Sequence, residues 1–203
     1  MKETENIKEI SALNPDYLGF IFWEKSKRNM TLDSIPELLE TTKKVGVFVD
    51  ASIQEIAAKI NQYQLDIIQL HGNETTIFCK NVKKLGVEVI KVFSIDSTFN
   101  FPVVKEYVLA VDYFLFDTKG KLPGGNGITF DWNVLENYHF NVPYFLSGGI
   151  GTTEIDGIKE FLESPAANKC YGIDVNSRFE KKPGTKNKIK LQKFKKLLYE
   201  NEI

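Results

Sequence analysis

Short apolar runs alternate with amphipathic stretches from one end of the chain to the other. Residues 2–13 place Ile7, Ile10 and Leu13 at helical spacing. Tyr17-Leu18-Gly19-Phe20-Ile21-Phe22-Trp23 is nearly unbroken, which predicts a strand buried on both faces. Thr31 stands where it can cap a helix running to about Lys43. Val45 to Val49 predicts a second strand, ending at Asp50. Ser52-Ile53-Gln54-Glu55 reads as a capping box for a helix to about Tyr63. The alternation goes on with strands at residues 66–72, 88–95, 113–117, 144–147 and 171–175. Helices are expected at residues 74–85, 99–109, 131–138, 153–163 and 188–201, with Pro102 weakening the second of these.

About eight helices and seven strands in strict alternation require crossover connections and a parallel sheet. A spacing of roughly 25 residues per strand–helix unit is that of a (β/α)8 TIM barrel, an α/β fold. Such a barrel closes on eight strands, so the count is one short, and the shortfall lies at the front. A doubly wound open sheet is the competing architecture. The chain has no strand–Gly-x-Gly-x-x-Gly–helix unit, which counts against it. No linker or low-complexity stretch breaks the pattern, so residues 1–203 read as one domain, with Lys181-Lys182-Pro183-Gly184 as a local loop.

Composition narrows the function only by exclusion. A net charge of −1 gives no electrostatic basis for binding nucleic acid. The apolar runs are strand-length and no signal peptide is visible, so neither a membrane nor export is expected, and the location expected is cytoplasmic. Cys79 and Cys170 are isolated, which suits a reducing compartment and neither a disulfide framework nor a zinc site. Both read as small apolar residues. No cluster of His, Cys and carboxylates has metal-ligand spacing, so no metal or cofactor is expected.

Barrel chemistry sits on the loops after the strand C-termini. Those ends carry Arg28, Asp50, His71, Ser94, Asp117, Ser147-Gly148-Gly149 and the segment from Asp174 to Arg178. Glycines after Ser147 let backbone N–H groups approach an anion, the next helix start adds a dipole, and Asn176 and Ser177 offer further donors. Phosphate is favoured there over plain tight turns. Asp117, at the end of an apolar run, is the best acid/base candidate, with loop stabilisation as the bland alternative. Asp131 reads as a helix cap. Arg28 can clamp a carboxylate in two hydrogen bonds or simply lie solvated on the surface. His71 is read first as a hydrogen-bonded structural histidine and second as a catalytic one, and His139 as a loop residue.

Several motifs occur together and in order. They are Lys25-Ser26-Lys27-Arg28, Val45-Gly46-Val47-Phe48-Val49, Gln69-Leu70-His71-Gly72, Asp117 with Gly124-Gly125-x-Gly127-x-Thr129-Phe130-Asp131-Trp132, Ser147-Gly148-Gly149, and Asp174-Val175-x-Ser177. In this the chain resembles the phosphoribosylanthranilate isomerase family of tryptophan biosynthesis, over nearly its whole length. The resemblance implies a cofactor-free Amadori rearrangement of N-(5-phosphoribosyl)anthranilate to 1-(2-carboxyphenylamino)-1-deoxyribulose 5-phosphate. It implies Asp117 as the general acid that opens the furanose ring. It implies Arg28, His71 and Asp174 as substrate-binding residues, with Arg28 on the anthranilate carboxylate. The Ser147-Gly148-Gly149 and Asn176-Ser177 loops would hold the phosphate. The partner is then a small phosphosugar-anthranilate, and the chain a monomer or homodimer.

The chain departs from the family in two places. Family members open with a strand ending Lys-apolar-Cys-Gly, whose cysteine is the general base, and Met1 falls just after that motif. Neither Cys79 nor Cys170 matches it. The expectation is a start at an internal Met, with little turnover from the 203-residue form. The alternative is a non-catalytic phosphosugar-binding barrel. The second departure is Asn176-Ser177-Arg178, where the family often has Ser-Ser-Gly. The arginine restricts the loop backbone or adds a charge to the phosphate site.

Overall fold

The computed structural model describes residues 1–118 and 130–199. Lys119, the glycine-rich stretch Gly124-Gly125-Asn126-Gly127 and Thr129 lie outside the described residues, as does the predicted last turn of the final helix beyond Tyr199. The main strands are β1 Tyr17–Ile21, β2 Lys43–Phe48, β3 Ile67–Leu70, β4 Glu88–Ile95, β5 Tyr113–Thr118, β6 Tyr144–Leu146 and β7 Cys170–Ile173. The α-helices are α1 Thr4–Ser11, α2 Ile53–Tyr63, α3 Thr76–Lys83, α4 Ile155–Glu163 and α5 Lys188–Tyr199. The seven strands form one sheet in sequential order, and every pairing is parallel. That is the order of a (β/α)8-type barrel.

Side chains alternate across each strand, and here both faces are apolar. Val45, Val47, Ile67, Ile90, Val92, Leu115 and Phe145 pack together inside the curl of the sheet. Phe48, Ile68, Leu70, Phe114, Phe116 and Leu146 point the other way, into the larger core shared with the helices. The alternation decides the site. Asp117 follows the parity of Leu115, and His71 that of Ile67 and Gln69, so both face inward at the C-terminal rim.

β1 and β7 are the edges of the sheet, and their Tyr17 and Tyr171 hydroxyls meet at 3.4 Å. The expected double-sided burial of the first strand does not hold. Tyr17 and Ile21 are half-buried and Gly19 exposed, because they face a cavity between the two edges. Gly19 presents its carbonyl there to the Met1 amino group at 2.7 Å.

The helix expected from Thr31 to Lys43 is a second correction. Residues 31–42 form no helix, and β2 begins at Lys43 instead of Val45. Pro36 is the physical reason: inside a helix it would remove one N–H and clash with the carbonyl of Leu32. That carbonyl accepts the Tyr63 hydroxyl instead, at 2.7 Å. The helices expected at 99–109 and 131–138 are 3-10 segments, Phe101–Tyr107 and Trp132–Asn137. Asp131 caps the latter, accepting from the Asn133 N–H, and Ser52 caps α2 through the Glu55 N–H. The expected loop around Pro183 is the turn of a small antiparallel hairpin, β8 Glu180–Lys182 and β9 Thr185–Lys186.

Candidate active site

A cavity of about 920 Å³ opens at the strand C-termini and runs along the gap between β1 and β7. Arg28, His71, Asp117, Ser147, Gly148, Gly149, Asp174, Asn176 and Ser177 all line it. Asp50 and Ser94, the other polar strand ends, do not. Asp50 is turned away with φ 51°, its carboxylate accepting from the Asn73 N–H, and Ser94 is exposed.

Asp117 is buried at the end of β5, and its Oδ2 lies 3.6 Å from His71 Nε2. Gln69 Nε2 approaches His71 Nδ1 at 3.4 Å. An amide that donates to Nδ1 leaves the ring proton on Nε2, the nitrogen facing Asp117. Across the rim, Ser147 Oγ donates to Asp174 Oδ2 at 2.7 Å. Burial pushes the Asp174 carboxyl above its usual range. The Ser147 hydroxyl opposes that and the Asp117 charge adds to it.

The Ser147 loop is shaped by its glycines. Gly148 has φ +96° and Gly149 φ +66°, the region where side chains strain. A Cβ on Gly148 would meet the Thr118 backbone N at 2.4 Å, so the loop lies directly on the end of β5. The expected helix dipole behind this loop is weaker than the sequence suggested. A 3-10 turn, Thr152–Glu154, precedes α4, and Glu154 already accepts the Gly151 N–H at 2.8 Å. The stem of Arg178 packs close to Gly151, which joins the two expected phosphate loops.

Arg28 is not loose on the surface. Its Nε and Nη2 grip Glu180, with Nη2–Oε2 at 2.7 Å. Lys186 joins the same carboxylate and also donates to both Asn176 oxygens. Burial opposes charge on Glu180, yet Arg28 and Lys186 hold its carboxyl below the usual range. Burial holds the Lys186 ammonium below the usual lysine range despite Glu180 and Asp174. The network thus ties Arg28 to the Asn176 loop.

Sequence reasoning missed Glu180 and Lys186, and likewise Glu74 and Lys91, a fully buried pair behind His71. Lys91 had a signal. It is a charge inside an apolar strand run, and a buried charge demands a partner.

The family model for N-(5'-phosphoribosyl)anthranilate (PRA) isomerase matches residues 1–196. The chain belongs to this isomerase family. The Parabacteroides distasonis N-(5'-phosphoribosyl)anthranilate isomerase is 42% identical over 201 residues, covering 96% of this chain and 88% of that protein. The Phocaeicola vulgatus isomerase is 39% identical over 195 residues, covering 96% and 92%. Among solved members, the Thermotoga maritima isomerase superposes with a TM-score of 0.78 at 26% identity, covering 98% of this chain and 96% of that one. The Thermotoga maritima protein is dimeric. Another solved member holds reduced 1-(o-carboxyphenylamino)-1-deoxyribulose 5-phosphate. It matches with a TM-score of 0.75 at 25% identity, covering 98% and 95%.

Both cysteines stand apart from Asp117. Cys79 is buried in α3, on the helix side of the sheet. Cys170 opens β7, four residues before Asp174, about 13 Å along a strand. Burial pushes each thiol up to about 11. At neutral pH neither is a thiolate, and neither supplies a base to this site.

Proposed function

We propose that this cavity carries out the isomerisation of N-(5'-phosphoribosyl)anthranilate to 1-(2-carboxyphenylamino)-1-deoxyribulose 5-phosphate, a step of tryptophan biosynthesis. The observation that carries the reading is the placement of Asp117. It is a buried carboxyl group facing inward at the rim, beside His71, in a cavity that also holds Arg28 and two loops suited to phosphate. Asp117 protonates the ring oxygen. The C1–O bond breaks, and the nitrogen lone pair forms an iminium at C1. The C2–H is then acidic, and its transfer to a general base gives an enolamine that becomes the ketose by protonation at C1. The residues gathered around Asp117 supply the acid half of this sequence. Arg28 offers the anthranilate carboxylate its guanidinium, in a plane set by Glu180. The Gly148-Gly149 and Asn176-Ser177 loops take the phosphate, and Asp174 faces the sugar. The substrate is a small anion, and the chain works as a cytoplasmic monomer or homodimer. Among the described residues no helix is long and apolar enough to cross a membrane.

Asp117→Asn tests the assignment. The amide keeps the shape and loses the proton. In a form carrying the family's Lys-apolar-Cys-Gly strand ahead of Met1, turnover is expected to fall by roughly 10²–10⁴-fold relative to the same form with Asp117. Affinity for the reduced product analogue is expected to stay within about threefold, because this change removes a transition-state interaction. Equal turnover in these two forms would rule Asp117 out as the acid.

A further inference from the structure

We propose that the buried pair Glu74–Lys91 is the positioning device of this site, locking the chain on both sides of His71 so that its imidazole is held against Asp117. The proposal rests on the reading of that rim as the isomerase site. The pair lies behind the rim. Lys91 has the opposite parity to Ile90 and Val92, so it points away from the cavity toward the helix layer. Its side chain and that of Glu74 are each 3% exposed, and they meet at 2.9 Å.

What they hold is the backbone of the β3 exit. Lys91 Nζ donates to the Gly72 carbonyl at 2.7 Å and to the Leu70 carbonyl at 3.3 Å. Glu74 Oε1 accepts from the Asp50 N–H at 3.0 Å, and both its oxygens accept from the Gly72 N–H at 3.0–3.1 Å. The residues before and after His71 are therefore fastened to one ion pair. His71 itself donates its N–H to the Phe48 carbonyl at 2.8 Å. Gly72 has no room for a side chain, since a Cβ would sit 2.3 Å from Asp50 Oδ1. The ends of β2 and β3 and the middle of β4 thus meet in one polar knot, from which the imidazole emerges on the cavity side.

A buried ion pair is a poor device for stability alone, because two apolar residues of similar volume often serve as well. It does fix geometry, since five hydrogen bonds to backbone groups have definite directions. The charged neighbours of His71 are Asp117 on β5, Asp174 beyond β7, and this pair.

The test uses the 203-residue chain, a Glu74→Leu/Lys91→Met double variant and a Glu74→Gln variant. The double variant leaves no unpaired buried charge. The two histidines of the sequence make the readout simple, with the exposed His139 as internal control. Long-range nitrogen–proton spectra of the imidazoles are recorded, with the affinity for reduced 1-(o-carboxyphenylamino)-1-deoxyribulose 5-phosphate. The parent is expected to show His71 as a single tautomer with the proton on Nε2. The double variant is expected to melt cooperatively and to show averaged His71 signals beside an unchanged His139. Its affinity is expected to fall roughly 10–100-fold, the scale of a small misplacement. A folded double variant with an unchanged His71 spectrum and affinity within twofold overturns the proposal. Should the double variant not fold, Glu74→Gln decides by the same two readouts. A parent that fails to bind the analogue, while His71 signals still average in the variant, overturns the isomerase reading and leaves the positioning role supported.

Discussion

Gly148 has the least freedom of the residues at the site. Its φ of +96° and the Thr118 backbone 2.4 Å from a would-be Cβ leave no place for a side chain. Gly148→Ala is expected to cost about 2–4 kcal/mol, from backbone strain and overpacking together. Denaturant unfolding and analogue binding measured side by side would check this. An unchanged midpoint would mean that the loop relaxes away from β5. This glycine was legible in the sequence as part of Ser147-Gly148-Gly149, and so was Asp117 at its strand end. The partners that hold the site residues were not legible. Glu180 lies 152 positions from Arg28 along the chain, and nothing local in either segment pairs them. Lys91 was different in kind, since a lysine within an apolar strand run already calls for a buried acid.

At the scale of elements, the β8–β9 hairpin links Arg28 to the Asn176 loop through Glu180 and Lys186. The folded-state pKa of Glu180 is depressed below the ordinary value of 4.5. Its charge therefore stabilises the fold above the unfolded value, and that contribution fades as pH falls through the folded value. Glu180→Gln is expected to lower the melting temperature at pH 7 and to have less effect below pH ~4. A constant difference between parent and variant across that range would show that the carboxylate charge is not what holds the hairpin. The strands were legible because their apolar runs are bounded by polar ends. The segment at residues 31–42 reads as a helix from its capping threonine alone, and Pro36 is what prevents one. The hairpin was hidden by its polar composition: Lys181 and Lys182 have no apolar alternation to mark a strand.

Taken whole, the molecule is a curled parallel sheet whose inward parity delivers Asp117 and His71 to one rim. Its two edge strands border the cavity that the remaining site residues line. The alternation of strand and helix made this architecture legible from the sequence. The edge geometry was less so, since β1 reads as fully buried and yet turns Tyr17, Gly19 and Ile21 toward the cavity. One measurement tests most directly whether that cavity is a phosphosugar-anthranilate site. It is a calorimetric titration of the 203-residue chain with reduced 1-(o-carboxyphenylamino)-1-deoxyribulose 5-phosphate, repeated on Arg28→Ala and in excess inorganic phosphate. Saturable binding at one site per chain is predicted. Losing the Arg28 clamp is expected to weaken it by roughly tenfold or more, and phosphate to compete with it. No saturable binding, or binding indifferent to both Arg28 and phosphate, would contradict the assignment of this cavity.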